Sequence, residues 1–124
     1  MGLINALFGN ASEVNADSLQ KEYAPLLCEG EQIEYAFKLM RDKLVFTNKR
    51  LIIQDTQGLS GKKREYHSIP YRSIDHFSIE TAGSFDADAE MKLWVKGMNA
   101  PIELQFGRDA NIMEIQRTLA KCVL

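Results

Sequence analysis

Apolar and polar residues alternate from Ile33 to Leu39, which is the periodicity of a β-strand with one buried face. Two unbroken apolar runs follow at Leu44–Phe46 and Leu51–Ile53, and we expect both faces of these strands to be covered. Asn48 tolerates a tight reversal between them. The pattern predicts a three-stranded antiparallel meander as the core of the fold. The predicted inward-facing residues of its first strand are Ile33, Tyr35, Phe37 and Leu39.

Further strands are predicted downstream, followed by a helix. Tyr66–Ile69 reads as a strand that ends at a proline, and the next strand breaks its period of two near Asp75–His76, which predicts a β-bulge. Clean alternation predicts two more strands, whose inward residues include Met91, Leu93, Val95, Ile102, Leu104 and Phe106. Asp109 is the predicted N-cap of a final helix with an apolar stripe at Ile112, Ile115, Leu119 and Cys122.

The N-terminal part of the chain has helical rather than strand periodicity. A short apolar stripe is formed by Leu3, Ile4, Leu7 and Phe8. A second helix is predicted to begin between Asn15 and Asp17 and to be limited by Pro25. Gly30 separates this part from the strands, so we expect a helical arm at residues 1–29 and a β-rich domain at residues 30–124.

Composition places the chain among soluble globular domains. Its 124 residues are 45% hydrophobic and 26% charged, and no apolar run is long enough to span a membrane. Cys28 and Cys122 lie far apart without a metal-binding spacing, and the first residues lack the basic flank of a secretory signal. We therefore expect a reduced, cytoplasmic chain, with association to a membrane surface as an alternative.

The net charge of −2 hides an uneven distribution. Residues 38–72 carry nine Lys or Arg against three Asp or Glu, a net +6, whereas the rest carries six against fourteen, a net −8. The sharpest basic feature is the triplet Lys62, Lys63 and Arg64, which we interpret as a candidate site for anionic ligands. Basic residues that protect a sheet edge would explain the same triplet. Three charges are too few to predict a nucleic-acid partner.

Catalytic and metal-binding patterns are missing from the sequence. His67 and His76 belong to no HExxH motif or Cys/His cluster, and Gly61–Lys62 is not followed by the Ser or Thr of a P-loop. The sequence therefore predicts a protein that is not an enzyme and has no cofactor and no metal.

Three segments resemble the bacterial pleckstrin-homology (PH)-like domain family: FTNKRLIIQD, HSIPYRSIDHFSIETAG, and MKLWV with PIELQF and the last helix. The resemblance covers roughly Gly30 to Leu124. It implies a mainly β (α+β) fold, a split barrel of two antiparallel sheets with about seven strands, capped by a C-terminal helix. Eukaryotic relatives often hold phosphoinositides through basic residues around the first hairpin, where this chain has only Lys38, Arg41 and Lys43.

The resemblance also implies self-assembly into rings. The first functional prediction is a non-enzymatic scaffold that forms a homo-oligomer and presents a surface to another protein. Trp94, on an otherwise polar strand face, is a predicted contact, together with Leu3, Ile4, Leu7 and Phe8. The alternative is a peripheral binder of anionic lipid or phosphate that uses Lys62, Lys63 and Arg64.

Overall fold

Two antiparallel sheets form the body of the molecule in the computed structural model, which describes residues 16–39, 42–81, 89–107 and 110–124. The first sheet has the strand order β1-β2-β3-β4 and the second the order β5-β6-β7. This architecture, with a helix near each end of the chain, confirms the predicted fold class. The elements are α1 (Ala16–Tyr23), β1 (Ile33–Lys38), β2 (Lys43–Thr47), β3 (Arg50–Gln57), β4 (Lys63–Pro70), a 3-10 turn (Tyr71–Ser73), β5 (Ile74–Glu80), β6 (Ala89–Val95), β7 (Ile102–Phe106) and α2 (Ile112–Val123).

The central strands β2 and β3 are buried on both faces, as the apolar runs predict. Leu44 and Leu51 lie in the main core between the two sheets. Val45 and Ile52 face the opposite side and belong to a second cluster under α1. Both clusters therefore depend on this pair of strands.

Strand β1 departs from the predicted single inward face. Ile33 and Ala36 lie in the cluster under α1, whereas Phe37 and Leu39 lie in the main core. The pairing of β1 with β2 shifts register between Ile33 and Tyr35. The prediction that all four alternating residues face inward together is therefore wrong, because this irregularity exchanges the two faces within the strand.

Helix α1 packs against the outer face of the first sheet. It ends at Tyr23, two residues before Pro25, in agreement with the predicted limit. Leu19 and Tyr23 are buried in the second cluster, and the Tyr23 hydroxyl donates a hydrogen bond of 2.7 Å to Gln54. The chain then turns at Gly30, which has a φ of +79°. The described part of the predicted arm thus shares a core with the sheet, while Leu3, Ile4, Leu7 and Phe8 lie outside the described residues.

The second sheet follows the predicted alternation. Met91, Leu93, Leu104 and Phe106 are buried against the first sheet. The β5–β6 register shifts between Ile74 and His76, which confirms the predicted bulge.

Helix α2 closes the main core with Ile112, Ile115 and Leu119. Its N-cap is Asn111, whose side chain accepts a hydrogen bond from the Glu114 amide at 3.2 Å. The prediction of Asp109 as the cap is wrong. A cap must directly precede the first helical residue for its side chain to reach an amide of the first turn, and Asp109, itself outside the described residues, is three positions before Ile112.

Candidate functional site

A groove of about 510 Å³ lies at the end of the first sheet where β2 turns into β3. The segment after α1 forms one wall, the β2–β3 turn another, and the end of β4 with the following 3-10 turn the third. We call it the basic groove. Its lining residues are Leu26, Cys28, Glu31, Lys49, Arg50, Ser68, Pro70 and Arg72.

A buried ion pair forms the floor of the basic groove. The Glu31 side chain is only 1% exposed. The Arg50 guanidinium contacts it twice, through Nε at 2.8 Å and Nη2 at 2.9 Å. Arg50 also donates to the Leu26 carbonyl at 2.6 Å and to the Ser68 hydroxyl at 2.9 Å. The bidentate geometry orients the guanidinium and ties three separate segments together.

The β2–β3 turn supplies further donors to this ion pair. The Thr47 hydroxyl donates to Glu31 at 2.6 Å and accepts hydrogen bonds from the Lys49 and Arg50 amides. Asn48 accepts from the Gln32 amide at 2.8 Å and donates to the Gly30 carbonyl at 3.0 Å. The FTNKR segment therefore holds the chain that enters β1 against the turn.

The segment HSIPYRSI, which also resembles the bacterial PH-like family, contacts the FTNKR segment at the basic groove. The Tyr71 hydroxyl, from HSIPYRSI, donates a hydrogen bond of 2.6 Å to the Thr47 carbonyl. Burial raises the pKa of this hydroxyl, so it stays protonated and keeps donating. Two of the three segments that carry the resemblance thus line one groove together.

The electrostatics of the basic groove follow from the state of Glu31. Burial alone would raise the pKa of this carboxyl, but hydrogen bonds from Arg50, Thr47 and the Cys28 amide together lower it to about 2. Glu31 is therefore ionised and neutralises Arg50. Lys49 and Arg72, both exposed, remain as two positive charges that this ion pair does not neutralise.

The predicted basic triplet lies elsewhere and is divided by the strand. Lys62 precedes β4, and because successive side chains of a strand point to opposite faces, Lys63 and Arg64 project to different sides of the sheet. Arg64 pairs with Glu22 of α1 at 3.3 Å, and Tyr66 donates to the same carboxylate at 2.7 Å. The triplet lies toward the other end of β4 from the basic groove, and at about 3.3 Å per residue Lys63 is roughly 23 Å from Pro70 and Arg64 roughly 13 Å from Ser68.

Trp94 lies on the outer face of the second sheet, as predicted. Its ring stacks on His76 with ring centroids 4.4 Å apart and an angle of 15° between the planes. His76 also contacts Asp75 at 2.9 Å. Trp94 remains half-buried beside exposed or half-buried polar residues of the same face, namely Ser78, Lys92, Glu103 and Gln105.

A cleft with acidic walls lies at the opposite end of the first sheet, the end at which Lys63 and Arg64 also lie beside Gln57 and Thr56. An open cleft of about 620 Å³ is lined there by Asp42, Asp55, Glu90 and Glu103. Lys43, one of the basic residues that the sequence places near this hairpin, pairs with Glu22 at 3.3 Å. The carboxylates that line this cleft disfavour an anionic ligand inside it.

The sequence reading missed Glu31 and its network. A single glutamate between Gly30 and Gln32 carries no motif, and charged residues are seldom fully buried. The indication in the sequence was the FTNKRL segment, because Thr47, Asn48 and Arg50 all belong to the hydrogen-bond network around Glu31 and the chain that enters β1. No trio of His, Cys, Asp or Glu placed to hold a metal ion occurs within the described residues. None of the described helices is long and apolar enough to cross a membrane.

Comparison with known proteins agrees with this geometry. The chain matches the Bacterial PH domain family over residues 2–123. A four-stranded and a three-stranded antiparallel sheet closed by a C-terminal helix define the chain as a PH-like domain. It belongs to the bacterial PH domain family.

Related chains extend over nearly its whole length. The Bacillus subtilis (strain 168) protein YjqA, described as uncharacterized, is 53% identical over 121 residues, which cover 97% of each chain. The crystal structure of a pleckstrin homology domain from Shewanella amazonensis SB2B is 49% identical with a TM-score of 0.83 and covers 98% of each chain. A DUF1696 family protein with a pleckstrin-homology domain from Shewanella loihica PV-4 is 47% identical with a TM-score of 0.78, and covers 90% of this chain and 95% of that one.

Proposed function

We propose that this PH-like domain is a non-enzymatic scaffold that associates with further copies of itself and presents a repeated surface to a protein partner. The observation that carries the proposal is Trp94, the single tryptophan of the chain, which is half-buried on the outer face of the second sheet. Aromatic residues are enriched where protein surfaces meet. The stack on His76 orients the indole before any partner arrives, which lowers the entropy cost of binding.

The rest of this face suits a specific contact. Lys92 lies opposite Ser78 on one side and Glu103 on the other, so both signs of charge are present beside the aromatic pair. Mixed charge around an aromatic centre favours one docking orientation over others. The apolar residues Leu3, Ile4, Leu7 and Phe8 are the second proposed contact, and rings of copies are the proposed form of assembly.

The mass in solution tests the proposal. Light scattering on a size-exclusion column should give a discrete multimer for the full chain and a smaller species for Trp94→Ala. Leu59→Ser is the matched control, because Leu59 is fully exposed in the β3–β4 loop, far from the second sheet in sequence. A full chain that stays monomeric at high concentration, or an unchanged mass for Trp94→Ala, would contradict a role for this face.

The apolar arm is best tested in the full-length chain. Serine at positions 3, 4, 7 and 8 removes the stripe and leaves α1 in place. A chain that begins at Gly30 is less informative, because it loses Leu19 and Tyr23 and uncovers the sheet residues beneath them, including Ile33 and Val45. The mass of the serine variant then reports on association rather than on folding.

A second candidate function is a peripheral binder of anionic lipid or phosphate through Lys62, Lys63 and Arg64. It is favoured by the exposure of Lys62 and Lys63 beside the edge strand β4. Co-sedimentation with vesicles should then require anionic lipid and fall for Lys62→Gln/Lys63→Gln. Equal binding to neutral and anionic vesicles would remove this candidate.

A further inference from the structure

The basic groove at the end of the first sheet is not part of the surface proposed for self-association, and its charges have no role in that proposal. Two exposed cations, Lys49 and Arg72, come from segments more than twenty residues apart and line the same groove. The Glu31 carboxylate, which lines the same groove, is buried and accepts hydrogen bonds from Arg50, Thr47 and the Cys28 amide. The groove therefore offers positive charge and donors, while its one acid is already satisfied.

We propose that the basic groove binds a phosphate monoester group, carried either by a small soluble molecule or by a lipid headgroup. The two cations that the Glu31–Arg50 pair leaves unneutralised match the double negative charge of this group. The Ser68 hydroxyl and the edge of the Arg50 guanidinium provide additional donors on the same wall. The volume of about 510 Å³ leaves room for an organic part, for which Leu26 and Pro70 provide apolar contacts.

The position of Arg50 makes this arrangement preorganised. Its four side-chain hydrogen bonds hold the guanidinium in place before a ligand arrives, so little side-chain entropy is lost at that residue on binding. Lys49 is fixed at the tip of the β2–β3 turn by the bond of its amide to Thr47. The site lies at the opposite end of β3 from the acidic cleft, where a phosphate would be repelled.

Cys28 provides a direct probe, because its exposed side chain lines the groove. Cys122 is half-buried on α2, and burial raises the pKa of its thiol, so it reacts more slowly and serves as the internal reference. The rate of Cys28 alkylation by iodoacetamide is measured by mass spectrometry on the intact chain. Glycerol 3-phosphate should slow Cys28 and leave Cys122 unchanged, with glycerol at matched ionic strength as the control. Equal Cys28 rates with both compounds at high concentration, together with no protection by vesicles that contain phosphatidic acid, would overturn the proposal.

Substitutions then locate the ligand contacts. Lys49→Gln/Arg72→Gln should weaken glycerol 3-phosphate binding at least about tenfold, because two charge-assisted contacts are lost. Lys62→Gln/Lys63→Gln removes the same charge from the other end of β4 and should change the affinity less than about twofold. An equal loss in both double variants would reduce the effect to general electrostatic attraction and overturn a defined site.

Two further experiments distinguish a phosphate monoester on a soluble molecule from one on a lipid. Phosphatidylcholine vesicles with and without phosphatidic acid present the same group on a lipid, while glycerol 3-phosphate presents it in solution. Protection of Cys28 by the soluble compound assigns a free ligand, and protection only by vesicles with phosphatidic acid assigns a lipid headgroup. Protection by neither compound, in the unmodified chain, overturns the proposal without recourse to any variant.

Discussion

Replacement of Glu31 by glutamine tests the buried ion pair that holds the basic groove together. The Glu31 side chain is 1% exposed and binds Arg50, Thr47 and the Cys28 amide. Glutamine keeps the shape but loses the charge, and its amide nitrogen would face donors instead of acceptors. Removal of one partner of a buried ion pair costs about 3–5 kcal/mol.

The pKa of Glu31 gives a second route to the same magnitude. The carboxyl has a pKa of about 2 in the folded chain against an ordinary value of 4.5. Because the folded-state pKa is the lower one, ionised Glu31 stabilises the fold above pH 4.5, and this contribution disappears as the pH falls toward 2. At 1.36 kcal/mol per pKa unit it amounts to about 3 kcal/mol at neutral pH and about 1.4 kcal/mol near pH 3.

Urea unfolding of the wild-type chain and Glu31→Gln at pH 7, 5 and 3 measures this contribution. We expect the variant to be less stable by about 3 kcal/mol at pH 7, and the difference to shrink by about half at pH 3. Glu65→Gln is the control, because Glu65 is exposed on β4 and its replacement should stay within about 0.5 kcal/mol. Equal stabilities at pH 7, or a difference that does not change with pH, would refute the reasoning.

Three further predictions concern the packing around the two helices, and urea unfolding at neutral pH measures each of them. Asn111→Ala should cost about 1 kcal/mol because the first turn of α2 loses its cap, whereas Asn111→Asp should retain stability; equal losses would argue against capping. Leu119→Ala should cost about 2–5 kcal/mol by opening a cavity in the main core, while Met113→Ala, on the exposed side of the same helix, should change stability by less than about 1 kcal/mol. Tyr23→Phe should cost about 1–2 kcal/mol because it leaves the buried Gln54 side chain without its donor, and an unchanged stability would mean that water replaces the hydroxyl.

Local periodicity was enough to predict most of the architecture. The apolar runs at Leu44–Phe46 and Leu51–Ile53 predicted strands covered on both faces, and α1 and the second sheet provide that cover. The broken alternation at Asp75–His76 predicted the bulge that the β5–β6 register contains. These features are readable because burial imposes a period of two on a strand and 3.6 on a helix, whatever the partner element is.

Local patterns failed where a second signal competed with them. Strand β1 alternates in sequence, yet its irregular pairing moves Ile33 and Phe37 into different cores. The prediction of Asp109 as the helix cap failed because Asp and Asn both cap helices, and only the position of the first helical turn, which follows Asn111, distinguishes them.

The sequence by itself determined the elements, most of their buried faces and the family. Only the tertiary structure decided which charges act together. Lys62, Lys63 and Arg64 are neighbours in sequence, but the strand pleat separates Lys63 from Arg64, and Arg64 pairs with Glu22. Glu31 and Arg50 are nineteen residues apart and form the buried pair beneath the groove. Periodicity records whether a side chain is buried, whereas an ion pair or a binding groove depends on which distant segments the folded sheets bring together.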